Sequence, residues 1–318
     1  MQISCAPMEG LTGRVFRAAM TQHFPGELRF YSPFISPTSS PDLRSKEMSD
    51  VQPEENRGQT LIPQILSNHA EEFLFTAEKL RRLGYSEVNL NLGCPSGTVT
   101  ARGRGSGFLR RKEELQRFLD GIFAACPLRI SIKTRVGYTE EDEFPALVEL
   151  YNQYPVQELI VHPRVREDFY KGRVRLEAFA HAMANAKAPL CYNGDLFTPG
   201  DLTALRERFP ALDRVMLGRG LVADPALART LAGGAALRKE ELYAFQQSLS
   251  DGFRALGWSD RVIICHMKEY WHYMTALFPD TAKYRKRIGK AQDMAAYRAA
   301  VESLFREQEL REDFGYQN

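Results

Sequence analysis

A strand and a glycine-rich loop follow one another in 88-VNLNLGCPSGTVTARGRGSGFL-109. Val88, Leu90 and Leu92 alternate with asparagine and glycine, which is the period-two pattern of a β-strand. The pattern stops at Gly93-Cys94-Pro95. From Gly93 to residue 111 there are five glycines and four arginines, and no acidic residue occurs from 88 to 111. A cysteine on such a loop fits a site for an anionic substrate, or else a buried structural cysteine beside a turn. These residues alone leave both interpretations open.

Similar strands recur along the chain and alternate with amphipathic helical patterns. The predicted strands cover 2–6, 29–34, 60–66, 86–92, 128–135, 157–162, 188–193 and 213–218, and the clearest helical patterns cover 69–83, 112–124, 142–153 and 199–209. Eight strands that alternate with helices predict an α/β protein with a (β/α)8 TIM barrel. An open doubly wound sheet is the alternative, but no GxGxxG motif follows the first strand.

The last part of the chain has a different pattern. The sequence there predicts only helices, over 238–256, 260–276 and 291–312. We therefore expect a TIM barrel at 1–234, followed by a small all-helical domain at 235–318.

Two segments differ from this regular pattern. The first, 36–58, is polar, rich in proline and serine and without a clear period, which is typical of a lid, a binding loop or a disordered tip. The second, 281-TAKYRKRIGK-290, has five basic residues and no acidic one, with aromatic residues nearby. Such a run is either a solvated helix face or a contact for RNA.

The composition is ordinary for a soluble enzyme, with 44% hydrophobic and 26% charged residues among 318. The net charge is only +2, so a nucleic-acid site must come from local clusters. The five cysteines are widely spaced and form no CxxC motif, which argues against a disulfide framework and against a zinc or iron–sulfur site. No signal peptide and no apolar stretch of the roughly 18 residues that span a bilayer is evident. We expect a cytoplasmic protein without a membrane segment.

Polar residues gather where the predicted strands end, which in a (β/α)8 barrel is the active-site face. They are Pro7, Met8, Glu9, Gln64, Asn91, Cys94, Lys133, Arg135, His162, Arg164, Asn193, Gly194, Asp195, Gly218, Arg219 and Gly220. The groups after the last two strands stand where barrels bind phosphate through backbone N–H groups. Each side chain alone has a structural alternative, such as a packed core histidine at His162. Their agreement at so many strand ends predicts a site.

Six motifs in this order resemble the tRNA-dihydrouridine synthases. They are CAPMEG at 5–10, NLNLGCPS at 89–96, KTR at 133–135, VHPR at 161–164, YNGD at 192–195 and MLGRG at 216–220. The resemblance runs from residue 5 to about 230, and its Asn-x-Gly-Cys-Pro part is the specific one. It implies reduction of the C5–C6 bond of a uridine in tRNA, with FMN as cofactor and NADPH or NADH as electron donor.

The resemblance also implies roles for the matching residues. The FMN ligands would be Pro7, Met8, Glu9, Gln64, Lys133, His162, Asn193, Gly194, Asp195, Gly218 and Arg219, with Lys133 near N1 and O2 of the flavin. Cys94 would be catalytic and give a proton to C5 of the uracil after hydride reaches C6, which requires a neutral thiol. We assign to the tRNA substrate Asn91, Arg135, Arg102, Arg104, Lys283, Arg285, Lys286 and Arg287, with Asn91 near the uracil.

Two positions depart from the family pattern. Pro163 stands where glycine is common, and it removes a backbone N–H. Gly13 stands where an aspartate usually follows the Pro-Met motif, so that role is filled elsewhere or is absent.

Two alternatives to a tRNA-reducing enzyme remain. An FMN barrel that acts on a free pyrimidine, like dihydroorotate dehydrogenase, does not need the basic helical tail. A non-catalytic RNA-binding barrel does not need Cys94, Asn91 and Lys133 together. The sequence does not indicate which uridine is reduced, and no feature calls for a metal or a protein partner. We expect a monomer.

Overall fold

The computed structural model describes residues 1–37 and 45–311, the side chains of residues 45 and 46 excepted. Within these residues nine parallel strands form one sheet in the order β3-β2-β1-β9-β8-β7-β6-β5-β4. The strands are β1 (Gln2–Cys5), β2 (Leu28–Tyr31), β3 (Thr60–Ile62), β4 (Gln64–Ile65), β5 (Glu87–Leu92), β6 (Arg129–Arg135), β7 (Leu159–His162), β8 (Leu190–Tyr192) and β9 (Arg214–Leu217).

The sheet closes on itself at Pro63. This residue separates β3 from β4, and the two strands are the two ends of the sheet order. Proline has no N–H to give to the ladder, so the strand breaks there. Its carbonyl still accepts the N–H of Asn89 at 2.8 Å. The predicted third strand is therefore one barrel strand in two pieces, and the predicted TIM barrel is confirmed.

Helices surround the barrel and follow its strands. They are α1 (Arg14–His23), α2 (Ser45–Val51), α3 (Ala70–Arg82), α4 (Gly97–Thr100), α5 (Lys112–Ala125), α6 (Phe144–Tyr151), α7 (Leu176–Asn185), α8 (Pro199–Arg208), α9 (Arg219–Ala223) and α10 (Leu227–Leu231). The prediction of a loop over 36–58 is wrong for α2, a helix too short to show a period in the sequence. Residues 38–44 of that loop lie outside the described residues.

The alternation along β5 to β7 decides which side chains reach the barrel interior. Val88, Leu90 and Leu92 belong to the large apolar cluster that the strands share with the helices. Asn89 and Asn91 therefore take the opposite, inner face, since successive strand residues point to opposite sides. In register beside Asn91 lies Lys133.

Four further helices follow the last strand. They are α11 (Lys239–Ala255), α12 (Asp260–Met274), α13 (Ala282–Lys290) and α14 (Met294–Glu307). The basic run that the sequence left without an assigned structure forms α13. The Phe245 ring of α11 packs edge-on against Phe16 of α1, with 5.8 Å between centroids. The Tyr270 hydroxyl of α12 donates a hydrogen bond to the carbonyl of Leu11. The boundary between a barrel domain and a helical domain at residue 234 stays a prediction.

Candidate active site

A cleft of about 820 Å³ opens between the mouth of the barrel and the C-terminal helices. On the barrel side its lining includes Pro7, Met8, Glu9, Asn91, Cys94, Lys133 and Arg219. On the helical side it includes His272, Tyr273 and Arg285. One cavity thus brings together residues from the first, the middle and the last strand ends and from the helical region.

Cys94 lies on a loop whose backbone is held from several directions. The Asn91 side-chain oxygen accepts the N–H groups of Gly93 and Cys94 at 3.0 and 2.9 Å. The carbonyl of Cys94 accepts hydrogen bonds from the backbone and the hydroxyl of Ser106. Burial raises the pKa of the Cys94 thiol, although the Ser96 backbone and the charges of Arg135 and Lys133 lower it in part. The thiol is therefore neutral near pH 7.

A chain of amide side chains leads from Cys94 into the barrel. Asn91 donates to the side-chain oxygen of Gln64 at 2.7 Å. Gln64 in turn donates to Asn89, also at 2.7 Å, and Asn89 donates to the Ser131 hydroxyl. Gln64 is fully buried, so this chain fixes the orientation of Asn91 beneath the loop. The predicted contact between Gln64 and a flavin stays a prediction.

Two cations follow one another on the inner face of β6, and the structure uses them differently. Lys133 lines the cleft, and burial, with the charge of Arg135, lowers its pKa to about 8. Arg135 donates to the backbone carbonyls of Gly93, Val165 and Phe169 at 2.6 to 2.9 Å. Arg135 thus holds the loop of Cys94 against the loop after β7. Its predicted contact with the substrate stays a prediction.

A smaller pocket of about 60 Å³ lies under the last two strand ends. Its lining includes the predicted FMN ligands Pro7, Met8, Lys133, His162, Asn193, Gly194, Asp195, Gly218 and Arg219. A Cβ atom on Gly194 would lie 2.1 Å from the Tyr192 hydroxyl, and one on Gly220 would lie 2.3 Å from the Leu196 carbonyl. Only glycine allows the backbone to take this course.

Asp195 is paired with two arginines at this pocket. It accepts both terminal nitrogens of Arg164 at 2.9 and 2.6 Å, and Arg219 at 2.7 Å. A carboxylate repels a phosphate, so Asp195 would not contact a bound phosphate group directly. It would instead orient Arg164 and Arg219 toward that group. Around these charges the pKa of His162 falls well below its ordinary value, first through burial and then through Arg135, Lys133, Arg164 and Arg219. His162 is therefore neutral.

Arg164 and Tyr170 are two residues of this site to which the sequence analysis gave no role. Arg164 is fully buried and also donates to the carbonyl of Gly172. The Tyr170 ring stands over the guanidinium groups of Arg135 and Arg219, at 5.4 Å from each, and lines both cavities. The position of Arg164 in the sequence indicated a place at the site, since it stands two residues after the end of β7. Tyr170 lies eight residues beyond that strand, and its position gave no such indication.

The basic residues predicted to bind the substrate differ in whether their side chains are already paired within the protein. Arg102 is exposed, whereas Arg104 donates to Asn68 and forms an ion pair with Glu72 at 3.3 Å. On α13, Lys283 pairs with Glu307 at 3.0 Å and Arg287 donates to Ser303 at 2.9 Å. Arg285 and Lys286 are exposed, and their side chains make no hydrogen bond or ion pair with the described residues.

A family model described as "Dihydrouridine synthase (Dus)" matches residues 4–312. The chain belongs to the dihydrouridine synthase family. It is 28% identical over 311 residues to a tRNA-dihydrouridine(16) synthase of Ralstonia nicotianae, covering 93% of this chain and 94% of that protein. It is 31% identical to a tRNA-dihydrouridine(16) synthase of Pseudomonas syringae pv. tomato, covering 76% and 77%. A 28% match to a probable tRNA-dihydrouridine synthase 1 of Synechocystis covers 70% of this chain and 62% of that protein.

Among solved structures, morphinone reductase has the same barrel, with a TM-score of 0.52 and 15% identity over 77% of this chain and 88% of that one. As a member of the dihydrouridine synthase family the protein is an enzyme, an oxidoreductase of uridine in tRNA, so the non-catalytic alternative is set aside. No helix of the described residues is long and apolar enough to span a membrane. No cluster of metal-ligating side chains is found among them either.

Proposed function

We propose that this dihydrouridine synthase reduces the C5–C6 bond of a uridine in tRNA with FMN as cofactor, NADPH or NADH as electron donor and Cys94 as proton donor. The cleft carries this proposal. Its barrel side holds a neutral thiol, an oriented amide and a lysine, and its helical side holds the half-buried Tyr273 and the exposed His272 and Arg285. A base extruded from folded RNA would react with the groups on the barrel side. The strand attached to that base would be held by the groups on the helical side.

The residues around the two cavities fit FMN. The glycines at 194 and 220 let the backbone after β8 and β9 pack tightly against Tyr192 and Leu196 and so shape the smaller pocket. Arg164 and Arg219 supply positive charge for a phosphate group. The Lys133 ammonium faces the same space and would stabilise negative charge on a reduced ring system. When bound, FMN supplies the hydride that reaches C6 of the uracil.

Cys94 and Asn91 would then complete the reaction at the uracil. Hydride addition at C6 leaves enolate-like charge that requires a proton at C5. Cys94 holds that proton because burial keeps its thiol neutral. Asn91 fixes the Cys94 loop through its side-chain oxygen and is itself fixed by Gln64.

We propose uridine 16 as the target. The two relatives just described that match over three quarters or more of both chains are both tRNA-dihydrouridine(16) synthases. The match to the Ralstonia protein extends through most of the chain. The choice of uridine depends on how the helical region orients the tRNA, so similarity that includes this region supports the same choice.

The test is reduction of an unmodified tRNA transcript by the purified protein with NADPH or NADH, followed by mapping of dihydrouridine. We expect product at position 16, a yellow protein, and no reduction of free uracil. Cys94→Ala should still bind FMN and accept electrons but lose on the order of 10²–10⁴-fold in product formation. Burial raises the pKa of Cys94 above 9.0, the ordinary pKa of a thiol, so with FMN bound the parent should keep its activity at pH 9.0 and lose it only at higher pH, where the proton donor is lost.

Three results would contradict the proposal. Reduction of free uracil at a rate equal to that of tRNA would favour the free-pyrimidine alternative. Product at another position would reject uridine 16. A Cys94→Ala variant with parental activity would remove the thiol from the reaction.

A further inference from the structure

The turn that brings Met8 to the cleft depends on where α1 begins. The N–H of Met8 donates to the Thr12 hydroxyl at 2.7 Å, and the carbonyl of Met8 accepts the N–H groups of Leu11 and Thr12 at 3.0 Å. The Thr12 hydroxyl also donates to the carbonyl of Ala6 at 2.9 Å. Thr12 stands next to Gly13, the residue that precedes α1, so a shift of that helix end moves Met8.

α1 begins without a cap of its own. Its N-cap residue is Gly13, which has no side chain to accept the free N–H groups of the first turn. The carboxylate of Asp50, on α2, accepts the N–H of Arg14 at 2.8 Å. A Cβ atom on Gly13 would lie 3.3 Å from the same carboxylate oxygen. Asp50 therefore occupies the space beside residue 13 and supplies from another helix the negative group that a helix N-terminus favours.

A second connection, through Arg17, links α2 to the turn at Met8. Arg17, fully buried on α1, donates to the carbonyl of Thr12 at 2.9 Å and to the carbonyl of Asp50 at 2.6 Å. Asn56 donates to the Asp50 carbonyl at 3.0 Å. Glu47 of α2 accepts the N–H of Ser36, just behind the cleft residue Phe34. α2 thus joins two walls of the cleft.

We infer that Asp50 is a positioning residue that caps α1 from α2 and thereby sets the Met8 turn against the cofactor, and that a carboxylate at residue 13 can replace it. The inference rests on the proposed use of FMN for its functional consequence. Asp50 itself does not line the cleft, so it acts through Arg14, Thr12 and Met8.

The test uses Asp50→Ala, Gly13→Asp and the double variant of the full chain, compared by FMN affinity and by amide hydrogen exchange without cofactor. Asp50→Ala should speed exchange of the Met8 and Arg14 amides and weaken FMN binding on the order of tenfold, as loss of a charged cap would. Gly13→Asp alone sets two carboxylates side by side and should not strengthen binding. The double variant should recover to within about threefold of the parent, because one carboxylate is again present.

Asp293→Ala is the matched control, since Asp293 caps α14 by accepting the N–H of Ala296 at 2.7 Å, far along the chain from the turn. It should lower thermal stability and leave FMN affinity unchanged. The inference is overturned if Asp50→Ala keeps parental Met8 exchange, or if the double variant is no better than Asp50→Ala. A parent protein that binds no FMN would refute the proposed function instead, and the exchange data would still decide the role of Asp50.

Discussion

Burial shifts the pKa values of Cys94 and Lys133, which both line the cleft, in opposite directions. It raises the pKa of Cys94 and lowers that of Lys133, because in both cases it disfavours the charged form. A neutral thiol is what a proton donor requires. A charged lysine in the same buried place instead destabilises the folded protein until an anionic partner binds.

We predict that Lys133→Met stabilises the cofactor-free protein while weakening FMN binding. With a folded pKa of about 8 against an ordinary 10.5, Lys133 binds its proton more weakly in the native than in the unfolded protein. The loss of folding stability that the charged Lys133 causes is fully present below about pH 8 and disappears as the pH rises toward 10.5. Methionine of similar length removes it, so the free energy of unfolding at pH 7 should rise by about 1–3 kcal/mol.

Urea unfolding at pH 7 and pH 10, with FMN affinity measured alongside, checks this prediction. The gain should shrink at the higher pH, because the parent lysine is then largely neutral. Lys286→Met is the matched control at an exposed position and should change neither quantity. A variant that loses stability at pH 7, or one that keeps parental FMN affinity, would show that Lys133 has another role.

The sequence predicts single residues of this site better than their pairings. The places of Cys94, Asn91 and Lys133 at the cleft were predictable, because alternation along a strand and a break at a Gly-Cys-Pro turn determine them. Their roles in the reaction stay predictions. The Asp195 pairing with Arg164 and Arg219 was not predictable, because it joins loops after three different strands. The same holds for Asp50, whose partner Arg14 lies 36 residues away.

At the level of elements, α13 divides the basic run into two sets. Lys283 and Arg287 bond to Glu307 and Ser303 of α14, so part of the run holds the helix in place. The side chains of Arg285 and Lys286 have no such partner among the described residues, and Arg285 also lines the cleft. A count of charges along the sequence cannot separate the two sets, since the separation depends on which helix face meets α14.

We predict that the double change Arg285→Ala and Lys286→Ala weakens tRNA binding more than Lys283→Ala with Arg287→Ala. Both variants lose two positive charges from one helix, so their net charge is matched. Loss of phosphate contacts should lower the slope of log affinity against log salt by roughly 0.7 to 0.9 per contact. The measurement is tRNA affinity across a salt series, with thermal unfolding to verify that α13 remains packed. Equal losses in the two variants would show that the run acts only through its total charge.

At the scale of the whole molecule, the fold class was predictable from the sequence. The strength of the contact between the barrel and the helical region was not. Eight regular strand patterns indicated the barrel, and the break at Pro63 changed only one of them. The large apolar cluster, however, contains residues from both sides of residue 234, such as Phe16 and Phe245. Phe245 is fully buried and also packs against Phe24, with 5.6 Å between ring centroids. Contacts of this kind depend on the docking of distant helices, which periodicity along the chain does not reveal.

We predict that the chain unfolds as one cooperative unit. Phe245→Ala removes a ring at the contact between the two regions, and Phe305→Ala removes one whose ring partners, Tyr243, Trp271 and Phe278, all follow residue 234. Each should cost about 3–5 kcal/mol, as truncation of a buried phenylalanine does. If the core is continuous, both changes shift the same transition and accelerate amide exchange in β5 of the barrel.

Two probes separate this outcome from independent domains. Both tryptophans, Trp258 and Trp271, lie beyond residue 234, so their fluorescence follows the helical region, whereas amide exchange at Leu90 and Leu92 follows the barrel. Coincident transitions in the parent and in both variants are expected. If Phe305→Ala shifts the fluorescence transition and leaves exchange in β5 unchanged, the helical region unfolds by itself. The boundary at residue 234 would then mark two domains in the thermodynamic sense, joined by a contact too weak to couple them.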